Sequence, residues 1–375
     1  MNGYFFDPIE RVRVHLVAQP VISGCADATR KVESIGFTIV RITTKSGIEG
    51  FGVTYNEVGG EATKVLIDQN IAPKMIGRDP FETEKLWNEM AAYLRGVGRK
   101  GLMWCAYSAV DIALWDIKGK MLGIPLYKLF GGTDPKVPVY GSGGWTSYSD
   151  DELVAEMKSL VDDDGYSTIK FKVGVEGGQN ILRDARRVAM VREAVGPDIG
   201  ILLDANNCWD CATGVRFANM IREYNVLLLE EPVFADDLPG LRRYKKGTDV
   251  PLGTGEHEYT KYGCRDLLVN EAADYVQIDG TRSGGFTEML KIAALTQAFN
   301  VKFAPHAMEN IHIHLVSAFQ NAPFLERLKL FEDITANIYR NPPKPVNGYM
   351  YIPDLPGLAL ELNMDFIRDN EQSVL

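Results

Sequence analysis

The chain has 375 residues, of which 46% are hydrophobic and 24% are charged, and its formal net charge at pH 7 is −10. A chain of this length and composition can bury a large core and is expected to form two domains. The acidic balance argues against nucleic acid as a partner, and no polybasic tract favours binding to anionic membranes.

The N-terminal residues carry an acid and a proline where a secretory signal peptide would need a basic start and an apolar run. No later apolar stretch is long enough to cross a bilayer, so we expect a cytoplasmic protein without membrane partners. The five cysteines are too few for a disulfide framework, and the closest pair, Cys208 and Cys211, is interpreted as two incidental thiols.

The first part of the chain, residues 1–125, predicts an α+β unit. Segments 36–44 and 50–55 flank a glycine-bearing turn, which is the pattern of a β-hairpin. A helix follows, and Gly123 and Pro125 mark its end. Its apolar face carries Val110, Ala113, Leu114, Ile117 and Met121.

From residue 126 to 335, strand and helix patterns alternate. Short apolar runs separated by helical segments are typical of buried parallel strands, and eight of them are what a closed β/α barrel requires. The tail, residues 336–375, is rich in Pro and Asn, and we expect it to return to the N-terminal unit. The strand candidates are 137–143, 168–174, 199–204, 226–231, 251–256, 274–279, 301–306 and 323–327.

Three acidic residues at equal intervals, Asp204, Glu230 and Glu256, end the third, fourth and fifth strand candidates. The carboxyl ends of parallel strands meet at one mouth of a barrel, so we expect these carboxylates to lie together. Three hard oxygen ligands suit Mg²⁺. The alternative, three unrelated acids in loops, is disfavoured by the repeated strand context.

Lys170 and Lys172 lie two positions apart and therefore face the same way on the second strand candidate. A buried lysine is costly unless it is paired or functional. Two neighbouring lysines lower each other's pKa, and a nearby divalent cation lowers the pKa of both. One of the two lysines is therefore expected to serve as a neutral base near pH 7. A solvated lysine pair on an edge strand is the alternative.

Asp279 and His306 end the sixth and seventh strand candidates, which brings them within hydrogen-bonding reach. A carboxylate on one imidazole nitrogen fixes the tautomer and makes the other nitrogen a stronger general acid/base. Together with the lysines and a metal ion, this pair suits removal of the proton α to a carboxylate, because the enediolate that forms needs cationic stabilisation.

Two further residues, His257 and Glu326, are weaker candidates. His257 directly follows Glu256 and is expected to line the site, and Glu326 on the eighth strand candidate is expected to complete the ring of polar groups. His312 and His314 fall in the helix after the seventh strand, and we assign them no role.

The chain resembles the enolase superfamily and, within it, the mandelate racemase subgroup. The resemblance covers nearly the whole sequence and includes the helix at 107–120 and the Leu-Phe-Gly-Gly segment at 129–132. The sister muconate-lactonizing subgroup has a lysine where this chain has Asp279, which disfavours that subgroup. The specific marks are Lys170, Lys172, Asp204, Asn206, Glu230, Glu231, Pro232, Glu256, Asp279, Ser283, Gly284, Gly285, His306 and Glu326.

The resemblance implies an α/β fold, a modified (β/α)7β TIM barrel at 126–335 with an α+β capping domain built from 1–125 and the tail 336–375. It also implies that Asp204, Glu230 and Glu256 hold Mg²⁺, and that Lys172 on one side and His306 with Asp279 on the other act as acid and base. Lys170 would neutralise the substrate carboxylate, and Glu326 would hydrogen-bond the enediolate. Relatives commonly assemble, so a homo-oligomer is expected.

The commonest reaction in this subgroup is dehydration of acid sugars to 2-keto-3-deoxy acids, and a sugar acid is therefore the expected partner. The alternatives are a racemase, epimerase or sugar-lactone cycloisomerase, and a non-enzymatic metal-stabilised module, which the intact set of ligands and bases disfavours. The candidate substrate-binding residues are Asn206, His257, Tyr55 and Asn56, with Ser23, Asp27 and Arg30 in the stretch 20–35.

Overall fold

A computed structural model describes residues 6–21, 24–340 and 342–373, so Ser23 lies outside the described residues. The N-terminal part begins with a three-stranded antiparallel sheet in the order β1, β2, β3. Its strands are β1 (Ile9–Pro20), β2 (Ser34–Thr44) and β3 (Glu49–Asn56). The expected hairpin is the β2–β3 pair, and β1 adds a strand that the sequence pattern did not indicate.

Helices cover one face of this sheet, and the longest of them lies between the sheet and the barrel. Gly50 and Gly52 on β3 allow its close approach, since a Cβ at Gly50 would lie 2.5 Å from the carbonyl oxygen of Ala113. The helix is buried on most of its faces and ends at Gly123, as expected. The helices are α1 (Gly60–Leu66), the π-helical turn Ile67–Ile71, α2 (Ala72–Met75), α3 (Thr83–Tyr93), α4 (Leu102–Leu122) and α5 (Leu126–Leu129).

Eight parallel strands then curl into a TIM-barrel-like sheet whose outer layer is helical, which confirms the expected fold class. The strands are β4 (Lys136–Gly143), β5 (Thr168–Lys172), β6 (Gly200–Asp204), β7 (Leu228–Glu230), β8 (Leu252–Thr254), β9 (Tyr275–Val276), β10 (Lys302–Phe303) and β11 (Leu325–Leu328). The helices are α6 (Asp150–Asp162), α7 (Ile181–Val195), α8 (Cys211–Met220), the 3₁₀ turn Arg222–Tyr224, α9 (Leu238–Gly247), α10 (Thr260–Val269), α11 (Gly285–Ala298), α12 (Glu309–Val316) and α13 (Lys329–Ile338).

The later strands are shorter than expected, and the sheet is not closed by a hydrogen-bonded ladder. Regular pairing in β9 and β10 ends well before Asp279 and His306, which lie in the chain beyond the strands. Within the described residues, β10 has no ladder with β11, and the Phe303 N–H instead donates to the Asn321 carbonyl at 3.0 Å. The expectation of a fully closed barrel is therefore corrected to a curled sheet with an open seam.

The C-terminal tail contacts both parts of the molecule. Its strand β12 (Tyr349–Tyr351) pairs antiparallel with the start of β4, a contact with the barrel that was not expected. Beyond α14 (Met364–Asp369), the Gln372 N–H donates to the Leu16 carbonyl of β1 at 2.8 Å. Every helix in the part of the chain that the structure describes is too short or too polar to span a membrane.

Candidate active site and metal centre

The three equally spaced carboxylates meet at one mouth of the barrel. Asp204 ends β6, Glu230 ends β7 beside it in register, and Glu256 follows β8. One oxygen from each lies within 4.8 Å of the others. Glu230 Oε1 is buried and has no hydrogen-bond partner among the described residues, and burial raises the pKa of Glu230 to about 8. Buried carboxylates with an unused oxygen fit a hard divalent cation.

Both lysines of β5 point into this mouth, where each pairs with a carboxylate of the cluster. Lys170 Nζ lies 2.6 Å from a Glu230 oxygen, and Lys172 Nζ lies 2.5 Å from Asp204 Oδ2. Burial alone would lower the pKa of each lysine, yet the paired carboxylates outweigh burial and raise both. Both lysines are thus held in ion pairs, Lys170 with Glu230 and Lys172 with Asp204. The neutral base stays a prediction, because it depends on a divalent cation that would compete for these carboxylates.

Glu326 closes the ring beside Lys170. One of its oxygens lies 2.7 Å from Lys170 Nζ, and the other accepts the Ala307 N–H at 2.9 Å. Although burial opposes ionisation, Lys170 and His306 lower the pKa of Glu326 to about 2. An ionised carboxylate accepts hydrogen bonds and donates none, so this geometry supports anchoring of Lys170 more than the donor function that the resemblance implies.

The His306–Asp279 pair forms as expected. His306 Nδ1 lies 3.3 Å from Asp279 Oδ2, and its Nε2 lies 3.4 Å from Glu256, so the ring spans the dyad and the carboxylate cluster. Burial would lower the pKa of His306, but Glu256 and Asp279 raise it to about 9. The remaining oxygen of Asp279 accepts from the Thr281 N–H and hydroxyl at 2.7 and 2.8 Å.

His312, to which we assigned no role, lies against this dyad. Its Nε2 accepts the Gly280 N–H at 2.9 Å and lies 3.4 Å from Asp279, while its Nδ1 lies 2.8 Å from the Ala307 carbonyl. These contacts hold the chain on either side of Asp279 and His306. The sequence contains no signal for this, because the contact depends on how α12 turns back over the loop.

On the other side of the cluster, His257 lies 3.4 Å from Glu231 and 3.3 Å from Glu256. Glu231 also accepts a hydrogen bond from Asn207 Nδ2. The hydrogen bond to Glu231 is the main reason that the pKa of His257 is raised to about 9. Asn206 donates its N–H to Asp204 at 2.9 Å, which places both predicted residues, His257 and Asn206, at the mouth.

Backbone strain is concentrated at the same mouth. Asn206, Asn207, Glu231, Ala307 and Met308 all have positive φ, between 43° and 62°. A residue with a Cβ that is neither Asn nor Asp pays on the order of 1 kcal/mol for this conformation. Such strain is typical of functional sites, where side-chain direction takes priority over local stability.

A cavity of about 470 Å³ opens beside the carboxylates and is lined in part by Asn206, Glu256, His257, Asp27 and Arg30. The cavity thus joins the barrel mouth to the segment between β1 and β2. Lys100, from the loop before α4, also lines it and was not among the sequence candidates.

Tyr55 and Asn56, neighbours on β3, are placed differently. The Tyr55 ring centroid lies 6.1 Å from that of His306, and its hydroxyl accepts from Arg282 Nη1 at 2.9 Å. The Asn56 side chain instead donates to Thr38 at 2.8 Å within the N-terminal sheet. Successive strand residues face opposite ways, so only Tyr55 is brought to the site. Arg282 also donates to the Tyr259 hydroxyl at 3.2 Å. The sequence did not indicate Arg282, because these two hydroxyl partners come from distant segments.

Two protein-family models match the chain. The family model for the mandelate racemase / muconate lactonizing enzyme N-terminal domain matches residues 11–131, and the enolase C-terminal domain-like model matches residues 152–366. The chain belongs to the mandelate racemase/muconate lactonizing enzyme family of the enolase superfamily. The predicted resemblance is therefore confirmed.

Curated relatives in this family act on sugar acids. The chain is 31% identical to the L-talarate/galactarate dehydratase of Salmonella typhimurium, over 95% of this chain and 89% of the relative. It is 32% identical to the 3,6-anhydro-α-L-galactonate cycloisomerase of Streptomyces coelicolor, over 95% of this chain and 98% of the relative. It is also 32% identical to the L-rhamnonate dehydratase of Saccharopolyspora erythraea, with 88% and 84% covered. Such relatives support an enzyme and leave the reaction to be assigned.

Solved structures of this family have the same fold. A racemase from Streptomyces coelicolor with bound magnesium superposes with a TM-score of 0.92 at 30% identity, covering 97% of this chain and 100% of the other. A variant of L-talarate/galactarate dehydratase with magnesium and L-glucarate has the same TM-score and identity, covering 100% and 95%. The cluster of Asp204, Glu230 and Glu256 fits the magnesium that such family members hold.

Proposed function

We propose that this family member is a Mg²⁺-dependent acid-sugar dehydratase that removes the proton α to the substrate carboxylate and eliminates the β-hydroxyl. The observation that carries the proposal is the placement of two proton carriers on either side of the carboxylate cluster. Lys172 contacts Asp204 from β5, whereas His306 contacts Glu256 from beyond β10. The proposal places the α-carbon of the substrate between them.

Asp204, Glu230 and Glu256 are the proposed metal ligands. A bound Mg²⁺ would neutralise Asp204, which lowers the pKa of Lys172, and would supply positive charge to the oxygens of the enediolate. Lys170, held by Glu230 and Glu326, is placed to pair with the substrate carboxylate. Lys172 then accepts the α-proton at Nζ.

His306 is the proposed general acid. Burial would lower the pKa of His306, whereas Glu256 and Asp279 raise it. With Glu256 on a metal ion, the contact of Nδ1 with Asp279 would remain to stabilise the protonated ring. It donates this proton to the β-hydroxyl as the C–O bond breaks and water leaves, and the resulting enol tautomerises to a 2-keto-3-deoxy acid. Asp279 orients the ring and stabilises its charge.

The alternative is a racemase, epimerase or cycloisomerase that uses the same two proton carriers. Two observations favour it: opposed acid and base suit inversion at one carbon, and two of the curated relatives are cycloisomerases, at 32% and 29% identity. These reactions share the first proton transfer and differ in the fate of the enediolate.

A panel of aldonic and aldaric acids, screened with the Mg²⁺-loaded protein and semicarbazide detection of keto products, tests the proposal. A keto product establishes dehydration. No product from any acid, combined with deuterium uptake from D₂O at the α-carbon, would instead establish racemisation or cycloisomerisation.

Replacing His306 by Asn is expected to lower turnover by about 10²–10⁴-fold, because a positioned general acid contributes that much. Calorimetry should show unchanged Mg²⁺ binding, since the three ligands remain. His15→Asn on β1, far from the mouth, is the matched control and should keep full activity. Full activity of His306→Asn would remove His306 from the proposed reaction.

A further inference from the structure

The cavity beside the proposed metal ligands carries charges that are already paired. Its lysine and arginine lining residues are Arg30 and Lys100. A substrate that enters through this cavity, with its carboxylate at Lys170 and its α-carbon at Lys172, would place its far end beside them. The state of these cations therefore bears on which sugar acids are accepted.

Arg30 is held by two acids. Its Nη2 donates to a Glu57 oxygen at 3.0 Å, and its Nε lies 3.4 Å from Asp27 Oδ2. The side chains of Glu57 and Asp27 are only 16% and 7% exposed, so neither can turn away into solvent easily. A guanidinium shared by two carboxylates has little attraction left for a third.

Lys100 is compensated in the same way. Its Nζ lies 3.0 Å from Glu258 and 3.9 Å from Asp236. Each lysine and arginine that lines the cavity in the described ranges is thus paired with at least one acid. Arg282 does not line the cavity, and it donates to the hydroxyls of Tyr55 and Tyr259.

Two side-chain amide oxygens of residues that line the cavity lack hydrogen-bond partners. Asn206 Oδ1 and Asn207 Oδ1 are buried and have no partner among the described residues. For Asn207 the amide orientation is set, because its Nδ2 donates to Glu231. A hydroxyl group can donate to such oxygens, whereas a carboxylate at neutral pH cannot. Phe234, 59% exposed, adds an apolar wall that favours uncharged groups.

We propose that the substrate is a monocarboxylic sugar acid, an aldonate with a neutral hydroxymethyl or methyl end, and that dicarboxylic aldarates are discriminated against. The inference rests on the proposed function and deepens it. The reacting end is the same in both classes, so selection falls on the far carbon, where compensated cations and unpaired acceptors favour hydroxyl groups.

Matched pairs that differ only at the terminal carbon test this: gluconate with glucarate, galactonate with galactarate, and mannonate with mannarate. Binding is measured by calorimetry on Mg²⁺-loaded His306→Asn protein, in which turnover is expected to be strongly slowed. For the pair that binds most tightly, the aldonate is expected to bind at least ten-fold more tightly than its aldarate. An aldarate that binds as tightly as its aldonate would overturn the proposal.

A second variant tests the cause. Glu57→Gln frees Arg30 of its closest acid, and it should raise the ratio of aldarate to aldonate affinity at least five-fold. Glu61→Gln, an exposed glutamate on α1, removes the same charge elsewhere and should leave the ratio unchanged. An unchanged ratio in Glu57→Gln would overturn the assignment of selectivity to the paired cations.

The outcomes separate this inference from the proposed function. Dehydration of aldarates but not aldonates by the wild-type protein would keep the dehydratase and overturn the selectivity. A tight-binding aldonate that is never dehydrated would support the selectivity and overturn the dehydratase.

Discussion

Single buried side chains at the ends of elements hold distant segments together, and His314 is an example. It is fully buried on α12, and its Nε2 lies 3.0 Å from the Leu358 carbonyl in the tail, whereas its Nδ1 has no hydrogen-bond partner in the described part of the chain. Burial lowers its pKa from 6.5 to about 4. The folded protein therefore keeps this ring neutral under conditions in which an unfolded chain would protonate it.

This difference predicts an acid-sensitive stability. Between pH 6.5 and pH 4 the unfolded state binds a proton that the folded state excludes, so the free energy of unfolding falls as the pH falls. The contribution lost between pH 7 and pH 5 is about 2 kcal/mol. His314→Gln keeps a donor for Leu358 and should remove this part of the pH dependence, as measured by urea unfolding at both pH values.

His314→Phe provides the check on that experiment. It removes the titration and the hydrogen bond together, so it should show the same flattened pH dependence with lower stability at pH 7. If both variants lose as much stability between pH 7 and pH 5 as the wild type does, another group controls acid unfolding.

At this scale, the sequence was most informative where a strand end fixes a side chain. Asp204 and Glu230 could be placed because the last residues of parallel barrel strands all lie at the same mouth of the barrel. Tyr55 and Asn56 could not be separated, since alternation shows that they face opposite ways but not which one faces the barrel. Arg282 and His312 depend on loop paths, and no periodic pattern encodes those.

Among the elements, the contact between β3 and α4 depends on two glycines. A Cβ at Gly52 would collide with the carbonyl oxygen of Ala109 and approach the Ala113 nitrogen to 2.7 Å. Both are backbone atoms of a buried helix, so neither can move without shifting α4. The helix in turn contacts the barrel through Asp111, which accepts the Thr287 N–H at 2.9 Å.

Gly52→Ala is therefore expected to destabilise the protein by about 1–3 kcal/mol, the usual range for overpacking, and by more if α4 cannot shift. Chemical denaturation gives the measurement. Gly96→Ala is the matched control, because its Cβ would meet open space and its effect should be small. Equal stability of the two variants would show that α4 accommodates the added methyl group.

Element boundaries were harder to predict than element order. The apolar runs at 274–279 and 301–306 continue past the last ladder pair of β9 and β10 because those residues stay buried after the hydrogen bonding ends. Hydrophobicity reports burial and not pairing, so it overstates strand length at a barrel mouth. The same limit conceals the open seam between β10 and β11.

In the whole molecule, Asp116 joins three segments that are far apart in sequence. Its two oxygens accept the Phe51 N–H of β3 at 3.0 Å and the Leu358 N–H of the tail at 2.8 Å, and Lys120 donates to it at 2.7 Å. The expected return of the tail to the N-terminal unit is thus made through a buried carboxylate. The domain limits at 125 and 335, and the homo-oligomer, stay predictions.

Asp116→Ala should lower the free energy of unfolding by about 3–5 kcal/mol, because it leaves a lysine and two buried amides without their acceptor. Hydrogen exchange at the Phe51 and Leu358 amides should become faster. Asp68→Ala, which removes a surface pair with Lys64, serves as the control and should cost less than about 1 kcal/mol. Unchanged exchange at both amides would contradict this account of the junction.

The cavity draws its walls from two separate stretches of chain. Asp27, Arg30, Glu57 and Lys100 all precede residue 101, whereas the carboxylate cluster and both proton carriers follow residue 169. Random mutagenesis could exploit this division. A library confined to the first hundred codons would vary which sugar acids bind, while every proposed reacting group stayed intact. Substrate specificity could therefore change without any change in the reaction.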